Sequence, residues 1–268
     1  MKIFDVLDQL DNVSGDNLAR TSRREAFKAF GNMGKKVAAA AVPFGLAAVA
    51  APEARADGGS KKKVIDVLNF ALLLEYLEAE YYVKGLDSGV IPAGSEAEKI
   101  YRQISKHETA HVELLKSTIS DLGGTPGDKP HFDFTAGGLF NPFHDYQVYL
   151  ILSQAFEDTG VRAYKGQAAN LISNNAILTA ALQIHSVEAR HASEVRRLRG
   201  LKGWITQAER GAGVPEAAQA VYAGEDNLVQ AGVDVSTITM YSEDAITEAY
   251  DEPLSKEEVT TIASLFIA

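Results

Sequence analysis

Cysteine is missing from all 268 residues. That absence removes disulfides, thiolate metal sites, iron–sulfur clusters and cysteine nucleophiles together. Any metal must then be held by carboxylates, imidazoles or neutral oxygens, a donor set that suits iron, manganese or zinc. Basic charge is also scarce. Lys and Arg number 26 against 36 Asp and Glu, for a formal net charge of -10. Outside the N-terminal stretch no dense Lys/Arg stripe occurs. Duplex nucleic acid needs such a stripe to displace its counterions, so nucleic acid is not an expected partner. An acidic surface favours the approach of cations instead. No continuous apolar run reaches the roughly 20 residues of a stable bilayer span, so no membrane span is expected in the mature protein. Strand signals are lacking too, because the apolar runs are too long and follow the wrong period.

The N-terminus reads as an address. Ser22-Arg23-Arg24-Glu25-Ala26-Phe27-Lys28 precedes a small-residue apolar run from Val37 to Ala51, and Ala54-Arg55-Ala56 then stands before Asp57. A charged segment, an apolar segment and an A-x-A cut site are the three parts of a signal peptide. The paired arginines resemble the twin-arginine export signal, with Ala26 where that pattern has a bulky residue and Phe27 one place later. Residues 1–56 are therefore expected to be a signal peptide. The protein is expected to leave the cytoplasm by the twin-arginine route, for the periplasm or another extracytoplasmic space. That route carries proteins already folded, often with a cofactor loaded.

The mature chain, about 210 residues, suits one ordinary domain. Residues 57–63 form a solvated linker. Four long segments with helical apolar periodicity follow, at 64–87, 95–122, 144–172 and 174–200. Gly123-Gly124-Thr125-Pro126-Gly127 ends the second. The connection from 123 to 143 is long and rich in Gly, Pro and Phe, whereas the other two are short. Two helical hairpins joined by a long crossover make the ferritin-like arrangement of a four-helix bundle. Residues 201–268 are a weaker-patterned extension, with a last helix from about Lys256 to Phe266 opened by a Ser255…Glu258 capping box.

Each helix carries an apolar seam in steps of three and four. The seams run Leu68, Leu72, Glu75, Ala79, Tyr82; then Ile104, Glu108, His111, Leu115; then Leu150, Ser153, Glu157, Gly160, Tyr164; and Ala181, Ile184, Glu188, His191, Val195. Every seam is interrupted near its middle by Glu, or by Glu and His. An ionised carboxylate in a dry core costs several kcal/mol unless it is paired or metal-bound, and no Lys or Arg lies on these seams. Two divalent cations would neutralise four carboxylates and leave the histidines as neutral ligands. A Glu and a His three apart share a helix face, so both reach one site. Carboxylate-bridged metal pairs in bundles use one Glu from each of two helices and Glu-x-x-His from each of the other two. Glu75 lies 33 residues before Glu108, and Glu157 lies 31 before Glu188. Each lone Glu is followed seven residues later by a tyrosine, Tyr82 or Tyr164. The halves thus read as a repeat around an approximate two-fold axis.

At Leu74-Glu75-Tyr76-Leu77-Glu78-Ala79-Glu80-Tyr81-Tyr82 and Val187-Glu188-Ala189-Arg190-His191-Ala192 the sequence resembles the ferritin-like superfamily, in particular the ferritin-like domain family that includes desiccation-related proteins. The resemblance covers about residues 64–200. It implies an all-α bundle holding two Fe ions on Glu75, Glu108, His111, Glu157, Glu188 and His191. It also implies that Glu108 and Glu188 bridge the metals, and that Tyr82 and Tyr164 hydrogen-bond ligand carboxylates beside the chemistry. The expected activity is oxygen- or peroxide-linked redox chemistry such as ferrous iron oxidation. One alternative loads Mn for peroxide disproportionation, as in a manganese catalase. Another is a non-enzymatic stress or desiccation protein with a structural metal clamp. Iron storage would require a hollow homo-oligomer, and the extension beyond Leu201 counts against a cage.

Other polar groups have plainer expectations. Glu78 and Glu80 should point off the seam into solvent. His107 and His185, near the ligands, should satisfy local hydrogen bonds. His131, Asp133 and His144 should be ordinary crossover residues. Trp204, Phe140 and Phe143 should pack beneath the loops.

Overall fold

The computed structural model describes residues 58–268. The expected signal peptide lies outside the described residues. Four long helices follow the apolar segments: α1 (Gly58–Ser88), α2 (Glu96–Asp121), α3 (Tyr146–Gln167) and α4 (Asn175–Leu198). Their starts are written in side chains that satisfy orphan backbone N–H groups. Ser95 accepts from the Glu98 N–H, Asp145 from those of Gln147 and Val148, and Asn174 from that of Ile177. Two glycines write the ends. Gly123 (φ 72°) and Gly200 (φ 74°) adopt the left-handed conformation just past α2 and α4. There Gly124 N–H bonds Ile119 O at 2.9 Å and Leu201 N–H bonds Arg196 O at 3.0 Å, the closing bonds of Schellman caps. α3 ends instead in a 3-10 turn, Ala168–Leu171.

α1 packs along α2 and α3 along α4, and the crossover 122–145 joins the two hairpins. The molecule is an all-α, ferritin-like four-helix bundle carrying a C-terminal extension with a short helix. Its interior has two apolar ends. One is aromatic, with Tyr81, Tyr101, Tyr149, Phe134 and Phe156 in mutual contact. The other is aliphatic, built on Leu68, Leu72, Leu115, Ile119 and Ile184. Each such buried side chain contributes about 1.5–3 kcal/mol. The Glu and His residues lie between these ends. Among the described residues no helix is long and apolar enough to cross a membrane.

The extension is integral to the core. Val221, Tyr222, Leu254, Val259 and Ile262 pack with Phe70, Leu74 and Ala163 of α1 and α3. Arg162 on α3 fastens it: 1 % exposed, it donates to the carbonyls of Val221, Ala223 (2.7 Å) and Glu252 (2.8 Å) and pairs with Glu225 at 2.8 Å. The chain end is tied to the crossover, because Asp133 N–H donates to Phe266 O (2.9 Å) and Ala268 N–H to His131 O (3.0 Å). Short helix α5 (Glu243–Thr247) and last helix α6 (Lys256–Ser264) complete the chain, and α6 opens with the expected Ser255–Glu258 capping box.

Three expectations are corrected. Residues 58–63, expected as a solvated linker, are the first turns of α1. A two-residue hairpin exists, with β1 (Val229–Gln230) paired antiparallel to β2 (Val233–Asp234). Its turn residues Ala231 and Gly232 both have positive φ, 51° and 82°, the conformation a primed hairpin turn requires. Alanine at that place hid the turn from the sequence. Trp204 is half exposed, at 50 %, rather than packed away. Phe140 and Phe143 do pack against the aromatic end.

Candidate metal centre

Each candidate ligand sits in mid-helix on an inward face: Glu75 on α1, Glu108 and His111 on α2, Glu157 on α3, Glu188 and His191 on α4. All four carboxylates are 0 % exposed, His191 is 4 % exposed and the His111 side chain 11 %. The structure brings all six together, in two overlapping groups. One is Glu75, Glu108, His111 and Glu188; the other is Glu108, Glu157, Glu188 and His191. Within each group the donor atoms lie within 4.8 Å of one another.

Glu108 and Glu188 belong to both groups and divide their oxygens between them. Glu108 places Oε2 3.1 Å from His111 Nδ1 and Oε1 2.9 Å from His191 Nδ1. Glu188 places Oε1 3.1 Å from His111 Nδ1 and Oε2 3.7 Å from His191 Nδ1. Glu75 Oε2 completes the first half at 3.2 Å, and Glu157 Oε2 the second at 3.3 Å. Each imidazole Nδ1 therefore faces three carboxylate oxygens.

Proximity here is not the same as hydrogen bonding. Glu108 Oε1, Glu157 Oε2, both Glu188 oxygens and His191 Nδ1 are buried with no aligned hydrogen-bond partner. One such atom ordinarily costs about 1–3 kcal/mol. Five such atoms in one small volume are polar groups whose pairing is completed by a cation. The all-oxygen-and-nitrogen donor set, the count and the two-group layout fit a pair of metal ions.

The electrostatics point the same way. Burial works to lower His111, yet its close contacts with the carboxylates of Glu108, Glu188 and Glu75 push it up to about 12. His191 moves in the same direction, with burial opposed and overcome by the charge of Glu157 and by contacts with Glu108. Burial raises Glu157 to about 7 against the pull of His191, and burial also raises Glu108. Glu188 ends at about 2, because contacts with both histidines outweigh its burial. The carboxylates demand positive charge at this spot and take it from the imidazoles.

Two tyrosines cross-link the halves. Tyr82 on α1 donates to Glu157 Oε1 on α3, and Tyr164 on α3 donates to Glu75 Oε1 on α1. Burial, then the carboxylate each one touches, raises both phenols far above their usual range, so they stay protonated donors. Each fixes the carboxylate that begins the other half of the repeat. His107 supports His191 from outside: its Nδ1 lies 2.8 Å from His191 Nε2, the rings stack at 5.1 Å, and Gln103 reaches its Nε2 at 2.6 Å. His185 bonds the Val161 carbonyl at 3.0 Å and takes no part in either group. His131 and His144 are exposed, and Asp133 caps its own loop through the N–H groups of Thr135 and Gly137.

Glu78 departs from expectation. It is 3 % exposed, not solvated. Burial, then the charges of Glu188 and Glu157, raise its carboxyl well above the usual range. Three residues after Glu75 is the same helix face, but that spacing alone does not bury it; the room is made by Gly160 on α3. Glu80 is half-buried and ion-paired, to Lys84 at 2.7 Å and Lys129 at 2.6 Å.

A family model described as a ferritin-like domain matches residues 63–201, just over half of the chain. Among solved structures, ferritin-like, diiron-carboxylate proteins from Bacillus anthracis str. Ames are similar at 20% sequence identity and a TM-score of 0.43, over 53% of this chain and 99% of that one. No curated protein matches the chain.

Proposed function

Because the chain belongs to the ferritin-like domain family, we propose that its buried Glu–His cluster is a di-iron centre performing oxygen- or peroxide-linked redox chemistry, such as the oxidation of ferrous iron. The observation that carries this reading is the set of five buried, unbonded donor atoms shared between two overlapping ligand groups. Glu75, Glu108, His111 and Glu188 would hold one ion, and Glu108, Glu157, Glu188 and His191 the other, with Glu108 and Glu188 common to both. Iron bound there would supply the electrons that an oxidant takes, and hard carboxylate oxygens favour its higher charge state.

The chain's own groups do the rest. Tyr82 and Tyr164 hold Glu157 and Glu75 in the orientation that faces the histidines. His107 Nδ1 lies 2.8 Å from His191 Nε2; a proton held between those two nitrogens would leave His191 Nδ1 free to face the cluster. The aromatic and aliphatic ends exclude water, so charge changes at the centre act in a low-dielectric surround.

The test begins with elemental analysis of the purified protein, expected to give two iron ions per chain. Oxygen consumption with Fe(II) should then fall to background in Glu108→Ala and Glu188→Ala. Wild-type rates in both variants would defeat the proposal. Oxygen evolution from peroxide by manganese-loaded protein would move the reading to peroxide disproportionation. Metal that raises the melting temperature with no turnover would make the centre a structural clamp. We also propose export by the twin-arginine route, on the strength of Arg23-Arg24 and Ala54-Arg55-Ala56. Replacing both arginines with lysine should hold the protein in the cytoplasm; unchanged export would refute this.

A further inference from the structure

The two halves of the site repeat with one exception. Glu75, Glu78 and Tyr82 on α1 answer in order and spacing to Glu157, Gly160 and Tyr164 on α3. The glutamates match and the tyrosines match. At the middle position one half has a carboxylate and the other has no side chain at all.

That difference is sterically linked. A Cβ on Gly160 would stand 3.2 Å from Glu78 Oε1 and 3.6 Å from Glu188 Oε2. The missing side chain at 160 is therefore the room in which the Glu78 carboxylate lies, across the bundle from its own helix and beside Glu188. Glu78 is 3 % exposed and lines a small cavity, on the side facing Glu188. The same space opens into this cavity, which lies between Leu74, Leu77, Phe156, Ile262 and Phe266 and measures about 20 Å³, room for one water. Thr159 also lines it, but its hydroxyl is already given to the Ala155 carbonyl at 2.6 Å.

A carboxylate held 3 % exposed beside room for a single water needs a reason to be there. The six-ligand site does not use Glu78, which lies outside both four-residue groups. We infer that Glu78 is a seventh protein ligand, which turns through the space over Gly160 to join the half formed by Glu157, Glu188 and His191, making the two metal positions inequivalent. This rests on the two-ion reading above. Five carboxylates against two divalent ions leave one negative charge over, so the Glu78 half is the one that favours the higher charge.

The test is a titration of the metal-free protein with Co(II) alone, followed by absorbance and calorimetry, in wild type, E78Q and G160A. Wild type should bind two ions in two steps of unequal affinity. E78Q keeps the shape and loses the charge; its tighter step should weaken about 10–100-fold and merge with the other. Metal-free E78Q should melt no lower than wild type, because a buried acid has been removed. A packing role for Glu78 would lower that melt and leave the binding steps alone. G160A keeps Glu78 but fills its space, and should weaken the same step selectively; it decides the matter if E78Q fails to fold. Wild-type binding steps in either folded variant would overturn the inference while leaving the two-ion centre standing. Uptake of fewer than two ions by wild type itself would instead remove the centre, and the Glu78 assignment with it.

Discussion

Replacing Arg162 with Met tests whether the extension is part of the fold. The arginine is 1 % exposed and its guanidinium is fully used, on the carbonyls of Val221, Ala223 and Glu252 and on Glu225 at 2.8 Å. Met fills much of the volume but donates nothing. Removing one partner of a buried ion pair costs about 3–5 kcal/mol, because the other is left behind without compensation. Three carbonyls lose their donor as well, although water can reach them if the segment loosens. That relief caps the cost at the free energy of undocking 216–254 from α3. A loss of 3–5 kcal/mol is a large fraction of the roughly 5–15 kcal/mol that holds a domain, and corresponds to roughly 6–20 °C in melting temperature. Hydrogen exchange should show amides of 216–254 losing protection before those of α1 to α4. The double replacement Arg162→Met with Glu225→Met should recover much of the loss, since it leaves no orphaned charge. A single variant that melts within 2 °C of wild type and keeps 216–254 protected would refute this account of how the extension is held.

Gly166→Ala probes the same seam by shape: its Cβ would stand 1.9 Å from the Leu254 carbonyl oxygen, so limited proteolysis should cut the extension at protease levels that wild type resists. Tyr82→Phe and Tyr164→Phe leave Glu157 and Glu75 without their donors, and each should lower metal affinity by about 10–100-fold in a competition assay while helicity stays unchanged. Glu225 gives a pH signature. Burial, opposed by Arg162, lifts its carboxyl from 4.5 to about 7. A folded-state value above the unfolded one contributes stability that is complete below pH 4.5 and lost as pH rises through 7. Urea unfolding at pH 5, 6 and 7 should show that decline, and Glu225→Gln should flatten it.

The bundle and the six-residue cluster were legible because both depend on local periodicity. Helical spacing fixes which residues share a face, and Glu at the centre of four apolar seams has few stable explanations. Helix ends were legible where they rest on Ser255 or the Gly123-Gly124 pair, whose chemistry is local. Glu78 was not, because its burial depends on a glycine 82 positions away in sequence. Nor was the docking of 201–268. Its anchor, Arg162, looks on its own like a solvated helix residue, and only tertiary contact supplies the carbonyls that hold it. The β1–β2 turn was hidden for a further reason, since Ala231 lacks the left-handed preference that Asn or Gly would advertise.

The extension and the cluster belong to one electrostatic argument. Ile262, Ala263 and Phe266 of the chain end close the cavity beside Glu78 and Gly160, on the flank of the bundle between α1 and α3. An open flank would let water solvate Glu78 and Glu157, and solvated carboxylates have little need of a cation. Covered by α6 and tied down at Asp133 and His131, that flank stays apolar, and the carboxylates beside it gain no solvation from that side. On the proposed two-ion reading the extension would act on the centre without contributing a ligand to it: by keeping that flank apolar it would raise the energetic cost of leaving the centre empty.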